Sequence, residues 1–196
     1  MRVLMRRRGA GCLAPLLLAG MLPGVQAAAE SPLAAEHSED EIESAMLYNF
    51  TKFVEWPDKA LGASGASVVV GVLGDDALVP VLSAALGNKT VYGHPVTVRR
   101  LASGADAKSC AVLFVGAASQ KEIARIIQSV GHSPVLTIGE IVQFSRLGGV
   151  IAFIREGNRI RFEINLDAAD RAGLQVSSKL LRLAAVWREN PPQAGN

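Results

Sequence analysis

With 196 residues, 49% of them apolar, the chain is long enough for one domain with a proper hydrophobic core. Twenty basic and 18 acidic residues leave a formal charge of +2, which makes no electrostatic case for nucleic acid or an anionic membrane as partner. Two cysteines and three scattered histidines assemble neither a metal-ligand spacing nor a nucleophile–base pair.

The N-terminus is set apart. Arg2, Arg6, Arg7 and Arg8 precede an apolar run, Leu13–Leu22, and Val25-Gln26-Ala27 fits a small-x-small cleavage site. This pattern is a secretory signal peptide over residues 1–27, too short for a membrane span of roughly 20 residues. Gly9–Gly11 match a twin-arginine signal poorly, and Cys12 precedes the apolar run, so a lipoprotein anchor is not expected. Cleavage after Ala27 leaves 16 basic against 18 acidic residues, a net charge of −2. Cys110 is then the one remaining thiol; it heads an apolar run and is expected to be buried and inert, with no intrachain disulfide.

Residues 28–38 read as a flexible leader. Ser38 with Glu41 opens a first helix, in which Ile42, Met46, Asn49, Phe50 and Phe53 share a face, and Pro57 ends it. Four of the ten aromatic residues lie between Tyr48 and Trp56. Two accounts stay open for them: rings filling a core, or Tyr48, Asn49, Lys52 and Trp56 edging a recognition surface. Val68–Leu73 is a buried strand with a near-continuous apolar run. A helix over Ala77–Leu86 follows, capped by Asp75 or Asp76. Gly87–Gly93 is a turn region, Pro95–Leu101 an alternating strand and Ser103–Lys108 a polar loop. Cys110–Val115 is a second buried strand, and Ser119 with Glu122 forms a capping box for a helix through Val130. Val135–Ile138 is a third strand, followed by a helical turn at Ile141–Arg146. Val150–Arg155 and Arg159–Asn165 are the arms of a hairpin. Asp167 caps a short helix to Ala172, and Ser177 or Ser178 a last one in which Leu180, Leu183, Ala184 and Trp187 share a face. Residues 189–196 read as a disordered tail. The order predicts one α/β domain over 39–188: a mixed, largely parallel sheet flanked by helices, with a C-terminal antiparallel hairpin.

Little in the sequence carries chemistry. The strand–turn–helix at Val70–Asp75 lacks the G-x-G-x-x-G spacing of a dinucleotide site. Alternation along Arg159–Asn165 puts Arg159, Arg161, Glu163 and Asn165 on one face. That face is either a solvated strand, with Arg161 and Glu163 as a weak surface pair, or the wall of a polar pocket beside Ser177-Ser178-Lys179 at a helix N-terminus. Paired carboxylates, a nucleophile elbow and a phosphate loop are missing from the sequence, so no catalytic residue, metal or cofactor is expected.

Two segments together, Met46–Pro57 (MLYNFTKFVEWP) and Arg159–Asn165 followed by Arg171–Leu181 (RAGLQVSSKLL), resemble the YfiR-like family of exported bacterial proteins. The resemblance runs from about Glu41 to Trp187 and includes Leu73-Gly74, Cys110–Val115, Val135–Ile138 and Gly148-Gly149. It implies a periplasmic α/β regulator, often a homodimer, that binds the sensor region of an inner-membrane diguanylate cyclase and holds it inactive, lowering cyclic di-GMP and biofilm formation. The alternative it leaves is a small-molecule binding module serving a sensor kinase or receptor. It carries Tyr48, Asn49, Phe53, Trp56, Arg161, Glu163 and Asn165 over as partner or ligand contacts, joined by Ser177, Ser178 and Lys179. It also implies redox-linked disulfides, from which this chain departs: Gly71, Ser145 and Ser177 lie near where such cysteines are expected.

Overall fold

The computed structural model describes residues 32–189 except positions 59, 117, 142 and 158, with side chains from residue 39 onward. The stretches expected as signal peptide (1–27), as the first part of the leader (28–31) and as most of the tail (190–196) lie outside the described residues. No helix among them is long and apolar enough to cross a membrane.

Helix α1 spans Pro32–Phe53, six residues earlier than the Ser38 cap predicts, so the second half of the supposed leader is helical. Pro32 stands at the first helical position, where its missing N–H costs nothing, and Leu33-Ala34-Ala35-Glu36 are strong helix formers. The helix also stops early. Val54–Glu55 form strand β1 and the chain is extended before Pro57. Strand β2 (Val68–Leu73) leads to α2 (Leu78–Leu86), where the Asp75 carboxylate accepts the Leu78 N–H at 3.1 Å. The expected turn at 87–93 contains strand β3 (Thr90–Val91), the first arm of a tight hairpin with β4 (His94–Arg100). The expected polar loop is a 3-10 helix over Gly104–Ser109. Next come β5 (Val112–Val115), α3 (Gln120–Val130, capped by Ser119 as predicted) and β6 (Leu136–Gly139). A 3-10 turn at Ser145–Leu147 precedes β7 (Ile151–Glu156) and β8 (Arg159–Asn165). Helix α4 (Leu166–Arg171), β9 (Gln175–Val176), α5 (Ser178–Leu181) and β10 (Ala185–Trp187) close the described chain.

Eight strands form one mixed sheet in the order β10-β8-β7-β6-β5-β2-β4-β3, and β1 pairs separately with β9. β2, β4, β5, β6 and β7 run parallel, β7–β8 is the antiparallel hairpin, and β10 lies parallel to β8 at the edge. Alternate side chains feed two cores. Val70, Val112, Phe114, Phe162 and Ile164 pack with α1, α2 and Leu180, while Leu113, Val115 and Ala152 pack with α3. Cys110 lies in the second core as a free, buried thiol.

The predicted last helix is only one turn long. Ala185, Val186 and Trp187 instead pair with Glu163, Ile164 and Asn165, and Leu183, expected on the apolar face, is 76% exposed. A four-residue stretch with apolar groups at both ends fits either period, and the backbone bonds offered by β8 decide it.

Candidate functional site

The two groups of candidate residues lie on opposite faces of the sheet. On the α1 face, Phe50 is buried between Phe162 and Phe153, with ring centroids at 4.8 and 5.7 Å. Tyr48, Phe53 and Trp56 are half-buried around it and Asn49 is exposed, so core packing and surface share the aromatic helix. The Tyr48 hydroxyl donates to the Thr90 carbonyl at 3.4 Å, while Lys52 and Lys89 sit 5.4 and 5.9 Å from its ring centroid. Ser177 is tied to the same face: its N–H donates to the Phe53 carbonyl at 2.9 Å, next to the Val54–Val176 bridge.

Ser177 and Ser178 therefore do not wall a pocket with Glu163. The anion cradle expected at Lys179 is also filled: Ser177 Oγ accepts the Lys179 N–H at 3.2 Å, and the Ser177 carbonyl accepts from Leu180 and Leu181. One turn of helix leaves no row of free N–H groups.

On the other face, the far end of β8 organises a polar network. Glu163 accepts a short hydrogen bond from the buried Ser145 hydroxyl and has the Arg146 guanidinium at 4.0 Å. Arg161, expected beside Glu163, pairs instead with Glu156 at 2.8 Å across the hairpin. Asn165 is completely buried: its amide donates to the Ser145 carbonyl at 2.8 Å and to Glu189 at 3.3 Å. Its Oδ1 accepts the Ala168 N–H at 2.9 Å, so Asn165, not Asp167, caps α4. Arg171 grips Glu189 with two bonds of 2.7 Å. Those bonds first, and Asn165's after them, hold the Glu189 carboxyl below its ordinary range. Arg146 stacks 5.2 Å over the Trp187 ring, and Arg188 reaches Asp167 at 2.9 Å. Beside this network a cleft of about 240 Å³ lies between α3 and α4, lined by Ile127, His132, Thr137, Leu147, Val150 and Arg171.

The carboxylates of the network are matched to guanidiniums, and no group of three metal-ligating side chains that could hold an ion is found among the described residues. Sequence reasoning found Glu163 and Asn165 through alternation but missed Ser145, Arg146, Arg171, Trp187 and Glu189. None of these shares a period with β8; they meet it only through the crossovers of the sheet.

A family described as YfiR/HmsC-like matches residues 40–185, well over half the chain. Among solved structures, a conserved domain protein from Vibrio cholerae O1 biovar El Tor is similar at 12% identity, with a TM-score of 0.51 over 76% of this chain and 60% of its own. The chain thus spans less than two thirds of that protein, and the likeness is one of fold. An ABC domain from Streptococcus pneumoniae, solved with L-Trp, aligns at 13% identity with a TM-score of 0.46, covering 65% of this chain and 57% of its own.

Proposed function

Because the chain belongs to the YfiR/HmsC-like family, we propose that it is a periplasmic regulator that binds the periplasmic sensor region of an inner-membrane diguanylate cyclase and represses it. The family match across residues 40–185 carries the reading. The surface around Glu163 supports it: Arg146 stacked over Trp187 and the Arg171–Glu189 pair lie at the sheet edge formed by β10. A half-buried tryptophan and arginines among ion pairs are the residue types enriched where one protein docks on another. Tyr48, Asn49 and Trp56 would form a second contact on the opposite face, which a homodimer would leave free for the cyclase or use for itself.

A small-molecule module for a sensor kinase or receptor is the second reading, favoured by the cleft beside His132 and Arg171. The test is to express the chain with its own leader in its native host, crosslink, and identify what is captured while following total cyclic di-GMP. Capture of a membrane cyclase, with cyclic di-GMP rising on deletion and capture weakened by Glu163→Gln, is the expected result. Unchanged cyclic di-GMP on deletion, with no cyclase captured, would sink the repressor reading and bring ligand screening forward.

A further inference from the structure

A separate cavity of about 320 Å³ opens where the chain leaves α1 and β1, at the small end of ligand-pocket sizes. Trp56 and Tyr92 line it, their ring centroids 6.5 Å apart and their planes at 73°. Glu55 and Asp58 bring two exposed carboxylates to the same wall. His94 completes it. Its Nδ1 lies 2.9 Å from the Ala66 carbonyl oxygen, which only accepts, so Nδ1 carries a proton and donates it there. Among the described residues the wall holds no lysine or arginine. It presents carboxylates and aromatic faces.

The position of Tyr92 makes this wall more than an accident of packing. Tyr92 and Gly93 form the two-residue turn between β3 and β4, with φ of +51° and +82°. Such a turn suits Asn-Gly, and a tyrosine there pays left-handed strain that asparagine avoids. The ring is nevertheless held: its hydroxyl donates to the Val54 carbonyl at 2.9 Å, and it meets Trp56 edge-on. At 54% exposure it contributes little to the core. Partial burial, and after it the Glu55 charge, push the Tyr92 phenol up.

We propose that this cavity binds a small organic ammonium ion, seated against the Trp56 and Tyr92 rings and neutralised by Glu55 and Asp58. Aromatic faces attract cations through their quadrupole, and the Tyr48 ring of α1, whose hydroxyl reaches Thr90 of this hairpin, already carries the chain's own Lys52 and Lys89 ammonium groups. The site is independent of which partner the protein regulates, because binding is a property of the isolated chain.

The chain has two tryptophans, so a Trp187→Phe background leaves Trp56 as the reporter. Its emission is titrated with n-butylammonium and tetramethylammonium chloride, against 1-butanol, sodium butyrate and sodium chloride at matched ionic strength. Both cations are expected to give a saturable change that the controls do not. Tyr92→Asn is expected to weaken binding at least about tenfold with Tm unchanged or raised, since asparagine fits the turn. The exposed double substitution Glu55→Gln with Asp58→Asn weakens binding to a similar degree without touching a ring, and it decides the matter if Tyr92→Asn lowers Tm. A response reproduced by butanol or sodium chloride, or binding undiminished in the carboxylate variant, would overturn the proposal.

Discussion

Glu43 is 2% exposed, and its Oε2 has no hydrogen-bond partner. Arg155 reaches from β7 to Glu39 at 2.5 Å, Glu43 at 3.1 Å and Glu140 at 3.4 Å, one guanidinium among three carboxyls. Burial above all, then a hydrogen bond shared with the Glu140 carboxyl and the Glu140 charge, with Arg155 opposing and Asp40 adding a little, pushes the Glu43 carboxyl up to about 9 from 4.5. Between those values the folded protein holds a proton that the unfolded chain has released. Stability therefore falls as pH rises through that window, by about 1.4 kcal/mol per unit for this group. Glu43→Gln keeps the shape without the titration. Urea midpoints at about pH 5 and about pH 8 are expected to drop for the native chain relative to the variant; parallel behaviour would refute the assignment. Gly71 makes a second prediction. A Cβ there would lie 2.6 Å from Cys110 Sγ and 2.8 Å from Leu101 Cδ1. Gly71→Ala is expected to cost about 1–3 kcal/mol through overpacking. Gly71→Cys brings a second thiol within bonding reach of Cys110, so oxidation should abolish both free thiols, as measured by thiol titration with Cys110→Ser as control.

Among the elements, β8 shows how far alternation reaches. Arg159 and Arg161 are exposed while Phe162 and Ile164 are buried, as a period of two predicts. Toward its end Asn165 is buried as well, because β7 and β10 flank it and α4 begins there. Asn165→Ala removes the α4 cap and leaves the Ser145 carbonyl and Glu189 without its amide. The expected loss is about 2–4 kcal/mol, against less than about 1 kcal/mol for Asp167→Ala with its exposed Arg188 pair. Urea unfolding of the two variants checks this; equal losses would return the cap to Asp167. The same competition shortens α1, whose expected final turn is spent on the Val54–Val176 bridge.

For the whole molecule, α1 closes one face of the sheet through Phe50, which is 1% exposed between Phe153 and Phe162. Phe50→Ala is expected to cost about 3–5 kcal/mol, a large part of a domain's stability of about 5–15 kcal/mol, readable as a lowered urea midpoint. The α/β class, the buried strands β2, β5 and β6, the β7–β8 hairpin and the Ser119 cap of α3 are all legible in the sequence, because each is written in neighbouring residues: continuous apolar runs, a period of two, a serine three places before a glutamate. The sites were legible only in fragments. Glu163 meets Ser145 from 18 positions away, Arg155 meets Glu43 from 112, and Tyr92 crosses to Trp56 from another hairpin. Local periodicity states which side of an element is buried, and so by itself determined the elements and their class. Which buried or polar side meets which depends on strand order and on the face each crossover takes. That placed the aromatic helix and the Glu163 network on opposite faces, and only the tertiary structure decided it.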